Sequence, residues 1–350
     1  TDIVLIASEV GGNLTLTTGN ASGIIDSGTV TVGGNLVATT DANNGVINLG
    51  TMAVDGTFTL SPHNTGAVTV VNDSGLNLAA STMGGTFSGT ATTGDITDSG
   101  ALAITGAATF ITGATGSNIV LDHASNAFSN SVELRADAGN EAFGNITFVD
   151  SAAIDFATSA GANGDLFINS STDGTVGGNL SVTATTGNIT DTVALTVSGT
   201  TTLTTSANNA TIALNNTSNA FTGALTITTN DDSGTDADVT IDGGTTALNI
   251  GASTIDGDLT VTSGNASGVT DSGTVTVGGN LVATTDANNG VIDLGTTTVT
   301  GTMDLTSHGS GNVTIDNATT DIVLIASEIG GNLTLTTGNV SGITDTGTVT

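Results

Sequence analysis

GGNLTLTTGNASGIIDSGTVTV (Gly11–Val32) runs directly into GGNLVATTDANNGVINLGTMAV (Gly33–Val54), two phrases of 22 residues with the same opening. Leu14, Leu16, Val30 and Val32 alternate with Asn13, Thr15, Thr29 and Thr31. A period of two is what a strand shows when one face is buried and the other is wet. The spacing predicts three short strands per phrase, over residues 13–17, 23–26 and 28–32. Helical periodicity is found nowhere in the chain. Thr and Val fill the strand positions, and β-branched side chains suit a pleated, half-buried surface.

Between the strands stand Gly-Asn, Asn-Gly, Asp-Gly and Ser-Gly pairs, as in Asn43-Asn44-Gly45 and Asn288-Asn289-Gly290. These residues tolerate the positive φ of sharp corners. Successive similar phrases favour stacking each strand on its counterpart one phrase later, which makes the pairing parallel. The expected fold is all-β: a right-handed parallel β-helix, or β-solenoid, with three short strands per coil of about 22 residues and irregular insertions at turns. Handedness follows from the preference of parallel crossovers. At a strand spacing of ~4.8 Å, about sixteen coils would extend roughly 75 Å.

Self-similarity continues at longer range. Thr1–Thr31 returns as Thr320–Thr350 with few substitutions, and Gly19–Gly50 returns as Gly264–Gly295 with only Ile24→Val, Ile25→Thr and Asn48→Asp changed. Larger units open near residues 11, 84, 177, 256 and 330, at intervals of 73, 93, 79 and 74 residues. The expectation is one continuous repeat array over residues 1–350. Strand-like text at both ends, with no leader, suggests an internal stretch of a longer chain.

Composition narrows the functional classes. The 350 residues include 50 Gly, one Pro, nine Phe and no Cys, Trp or Tyr, yet 37% are hydrophobic, enough to bury a core. Thirty-two acidic residues face a single basic one, Arg135, for a net charge of −31. Phosphate binding needs Lys or Arg to displace counterions, so nucleic acid is not an expected partner. No apolar run approaches the ~18 residues of a membrane span.

Chemistry could reside in a few places. Asp26, Asp98, Asp191, Asp271 and Asp345 recur at one place in the larger unit, where the ordinary role is a turn carboxylate bonding its own backbone. The densest acidic text holds Asp231, Asp232, Asp236, Asp238 and Asp242. Clustered oxygens of this kind are a weak Ca²⁺ candidate, although the spacing matches neither the EF-hand nor the calcium-binding nonapeptide, and a solvated loop is the plainer expectation. No other cofactor is expected. His63, His123 and His308 lie in unlike contexts and read as turn residues. Phe128 and Phe221, in the matching phrases SNAFSNSVEL and SNAFTGALTI, read as buried corner rings. Asn-x-Ser/Thr sequons occur at Asn13, Asn72, Asn145, Asn188, Asn265 and Asn312. Thr-rich text at residues 14–18, 200–205 and 224–229 raises ice or surface binding as an alternative role. A polysaccharide-acting β-helix enzyme is a more distant one, since it would lack Trp and Tyr to stack a sugar.

GGNLTLTTGN, TGDITDSGALAI, TGNITDTVALTV and SNAFTGALTI resemble the repeat regions of filamentous-haemagglutinin-like exoproteins and large autotransporter adhesins, a likeness carried by repeat style over the whole chain. That resemblance implies a right-handed β-helix, export to the cell surface, and a non-catalytic role in adhesion, biofilm or fibre formation. Its implied partners are neighbouring repeats, further copies of itself, and host surfaces or matrix.

Overall fold

The computed structural model describes residues 2–41, 43–136, 144–159, 161–169, 174–230 and 236–350. Among the described residues it is all-β, a parallel β-solenoid fold of about 15 turns with three strands per coil and no helix. Every strand pairing among the described residues is parallel. The chain divides into two compact units, Thr1–Gly178 and Asn179–Thr350.

In the first unit Leu14–Thr18 lies under Leu36–Thr40, which lies under Thr57–Ser61, with Leu14↔Leu36↔Phe58 and Leu16↔Ala38↔Leu60 in register. The inward alternation expected from the sequence is seen directly: Leu36, Ala38 and Thr40 are buried while Val37 and Thr39 are half-buried. Like side chains therefore stack along the core at the strand spacing, and each Leu, Ile or Val so buried contributes about 1.5–3 kcal/mol. Four rings form a continuous run. Phe87 and Phe110 have centroids 5.1 Å apart, Phe110 and Phe128 6.1 Å, Phe128 and Phe148 5.2 Å. Gly89 belongs to this arrangement, because a Cβ there would meet the Phe87 ring at 2.6 Å.

Turns follow the expected chemistry. Asn43 and Asn44 have φ of 58° and 56°, and Asn289 has 66°.

Sequence spacing gives the larger repeat but does not reveal that successive copies open in different sheets. Its long opening strand, Leu14–Thr18, belongs to one sheet, whereas the matching strand Phe87–Ala91 pairs with Val68–Asn72 in the other. The exchange occurs at the coil made of Thr57–Ser61 and Val68–Asn72, where both sheets receive one continuous strand. The second unit repeats the device. Leu180–Ala184, Leu259–Ser263 and Leu333–Thr336 fall in alternating sheets, with Leu225–Thr228 plus Val239–Asp242, then Met303–His308 plus Val313–Asp316, as the exchanging coils. Each of these larger repeats is thus about three and a half turns long.

Candidate functional site

The recurrent Asp residues mark the positions where side-chain chemistry is concentrated. Asp26 ends the strand Ile24–Asp26, and its carboxylate accepts from the Gly50 N–H (2.8 Å), the Thr51 N–H (2.6 Å) and the Thr51 hydroxyl. Asp271 receives the Gly295 N–H (2.8 Å), the Thr296 N–H (2.9 Å) and the Thr296 hydroxyl. Asp98 accepts from the amides of Asp122 and His123 and from Asn126 Nδ2, and Asp191 from the amides of Asn215 and Asn216 and from Asn219 Nδ2. The donors lie 24–28 residues onward. These carboxylates therefore clasp the next coil, which corrects the expectation that each would bond its own turn. A local Asx turn was the reasonable guess from one strand of text, since the partner is adjacent only after the coil closes. Replacing Asp271 with Ala is expected to destabilise this coil step by about 1 kcal/mol, the scale of an ordinary net hydrogen bond, because water competes for these exposed groups. Hydrogen exchange should show faster opening at residues 292–299, with Asp271→Asn retaining part of the protection.

A second ladder runs along the corners. Asn13 Oδ1 accepts the Asn35 N–H (2.8 Å), and Asn35 Oδ1 the Thr57 N–H (2.9 Å). Asp238, Asp258 and Asn280 continue the same pattern, receiving the amides of Asp258, Asn280 and Thr302. The ladder explains the Gly before Asn: a Cβ on Gly34 would sit 2.3 Å from Asn13 Oδ1, and one on Gly279 2.2 Å from Asp258 Oδ1. Sequence reasoning saw those glycines as turn formers and missed the oxygen that excludes a side chain.

Buried amides complete the set. Asn126 receives the Leu102 N–H at 2.9 Å and donates to Asp98, and Asn219 receives the Leu195 N–H at 2.7 Å and donates to Asp191. Asn72 and Asn317 are fully buried and satisfied by Val54 and Val299 backbone groups, as buried polar groups must be. Asn72 is therefore closed to glycosylation, and Asn13 is committed to the ladder. Phe128 and Phe221 are buried, as expected.

Three of the five acids of the calcium candidate lie among the described residues. Asp231 and Asp232 fall outside the described residues. Asp236 is exposed, Asp238 belongs to the corner ladder, and Asp242 accepts the Gly244 N–H at 2.7 Å. Burial pushes the Asp242 carboxyl up, the Gly244 N–H pulls it partly back, and the charges of Asp286 and Asp191 add to the rise. Among the described residues no three His, Asp or Glu side chains converge into a metal-holding group. The histidines stand apart: the His63 N–H donates to Thr40 Oγ1, His123 Nδ1 accepts the Ser125 N–H, and His308, which ends the strand Met303–His308 instead of lying in a turn as expected, has its Nδ1 against the Thr285 carbonyl. Arg135 pairs with Glu133 at 3.1 Å.

Asp150 was not legible as special. It ends Ile146–Asp150 facing inward, is 3% exposed, and accepts the Phe128 N–H at 3.0 Å. Burial raises its pKa to about 6 against the pull of three backbone N–H groups. The signal was an acid at an inward position of the alternation.

Outward Thr form short columns. Ser181, Thr202 and Thr226 stand in one register position and Thr183, Thr204 and Thr228 in another. Elsewhere columns are broken by other residues, as where Thr260 is followed by Val282 and Asp304.

A family model described as repeats of unknown function, DUF5649, matches residues 65–135, 143–228 and 236–292, more than half of the chain. The chain belongs to this family. Each matched DUF5649 stretch opens just before a strand that ends in a polar residue and runs along one sheet without a break: Val68–Asn72, Ile146–Asp150 and Val239–Asp242. In the first and third of these stretches that strand belongs to a coil where the sheets exchange roles. No curated protein and no solved structure matches the chain. Among the described residues no helix is long and apolar enough to cross a membrane.

Proposed function

We propose that this chain is a stretch of an extracellular structural fibre or adhesin shaft at the cell surface, without catalytic activity, of the kind its repeat phrases resemble in filamentous-haemagglutinin-like proteins. One observation carries the proposal. The polar residues that recur in the sequence, Asp26, Asp98, Asp191, Asp271, Asn13, Asn35 and Asn280 among them, direct their oxygens to backbone amides of the following coil. Such chemistry serves continuity from coil to coil, and load along a solenoid axis is borne by just these steps. The acidic exterior keeps neighbouring shafts apart and soluble.

The test is localisation with mechanics. Antibodies raised against the chain should label surface fibres on intact, unpermeabilised cells. Pulling the purified chain from its ends should give a series of unfolding steps, each releasing a few coils. Label confined to the cell interior would sink the proposal, as would extension at negligible force.

A further inference from the structure

Residues 41–45, DANNG, return unchanged as residues 286–290, yet the two copies fold differently. In the first, the strand ends at Thr40, and Asn43 and Asn44 both take positive φ, 58° and 56°. In the second, the strand runs on to Asn288, the Asn289 N–H donates to the His308 carbonyl at 3.0 Å, and Asn289 has φ of 66°.

The carboxamides differ accordingly. Asn289 Oδ1 accepts the N–H and the hydroxyl of Ser310 in the next coil, each at 2.8 Å. Asn44 is exposed, and among the described residues no group bonds its side chain. The next coil supplies the reason. Its matching residue is Gly309 in the second copy and Asn64 in the first, and a Cβ on Gly309 would come within 2.6 Å of Asn289 Oδ1. Asn64 carries that Cβ and so denies Asn44 the grip that holds Asn289.

We propose that Asn44 is a modification site, where the carboxamide is lost spontaneously to leave aspartate or isoaspartate, and that Asn289 in identical text is protected. The Gly45 nitrogen attacks Asn44 Cγ, forming a C–N bond, and the side-chain nitrogen leaves as ammonia. Water then opens the succinimide ring at either carbonyl. No oxidant, metal or enzyme is needed. Gly45 favours the attack because it has no Cβ to obstruct the approach. The fold also requires glycine there, since a Cβ would meet the Asn20 carbonyl oxygen at 2.6 Å and Thr40 Cβ at 3.0 Å. A free, exposed carboxamide beside an obligatory glycine is therefore built into this turn. Opening to isoaspartate places an extra carbon in the main chain directly before Gly45, at the corner where the Thr40 hydroxyl donates to the Gly45 carbonyl. Either product adds a negative charge.

Ageing the whole 350-residue chain at mildly alkaline pH in heavy-oxygen water, followed by pepsin digestion and mass mapping, tests this. With a single basic residue the chain gives trypsin almost nothing to cut, and the acid of a pepsin digest halts further conversion. The two peptides are told apart by Asn48 against Asp293. Asn44 should take up heavy oxygen about tenfold faster than Asn289, the scale of losing the bonds that hold a carboxamide still. In concentrated urea the two rates should become equal, because the local text is the same. Asn64→Gly should slow conversion at Asn44, and Gly309→Asn should speed it at Asn289. Equal rates in the folded chain, a difference that survives urea, or no conversion at Asn44 overturns the proposal. Rates indifferent to both substitutions overturn the part given to the residue at 64 and 309.

Discussion

Phe110→Ala should cost the first unit about 3–5 kcal/mol, the usual range for removing a buried phenylalanine. Phe110 is 0% exposed and stands between Phe87 and Phe128, so its loss opens a hole in the middle of the ring stack. A compact domain would spread such damage, but a solenoid coil touches only its neighbours and the strain stays local. Hydrogen exchange should therefore show lost protection across residues 76–148, with residues 259–316 unchanged. Phe110→Leu should recover about half of the loss, as it restores volume without the ring contacts. Uniform loss of protection along the chain would contradict the nearest-neighbour account.

The same stack shows what the sequence made legible. Alternation in the phrases at Gly11 and Gly33 was enough to fix strand class, inward face and coil length, because apolar period and coil closure are both written in consecutive residues. The burial of Phe128 and Phe221 followed by the same logic. The Asp26 clasp did not, since its donors are Gly50 and Thr51, adjacent only once a coil has closed. The half-turn offset of the larger repeat was hidden for a related reason: the text at Leu14 and at Phe87 is alike, and only pairing partners disclose that the two strands occupy different sheets. In the candidate cation loop, Asp238 accepts the Asp258 N–H of the next coil whereas Asp242 accepts the Gly244 N–H of its own turn, so near neighbours in the text serve different bonds.

Stability should rise on mild acidification, opposite to the common behaviour of proteins held by ionised carboxylates. Five-residue strands commonly end on an inward polar residue, as at Thr18, Thr40, Asn72, Thr112, Thr205 and Ser263, and Asp150 is the acid in that series. Its pKa of about 6 exceeds the unfolded value of ~3.9. Between those values the native state holds a proton that the unfolded state has released, so stability falls as pH rises from about 4 to 6 and is level beyond. The full span is worth about 3 kcal/mol, of which roughly 1–1.5 kcal/mol is regained on going from pH 7 to pH 5. The raised pKa of Asp242 acts in the same direction in the second unit. Urea unfolding at pH 7, 6 and 5, followed by exchange at residues 119–156, should show a midpoint that climbs as pH falls. Asp150→Asn cannot titrate, yet keeps an oxygen for the Phe128 N–H, so it should flatten that climb in the first unit while leaving the second unit's profile intact. A climb that persists undiminished in Asp150→Asn would assign the effect to relief of the general negative charge, and Asp150 would then be a satisfied carboxylate with no hold on the fold's pH response.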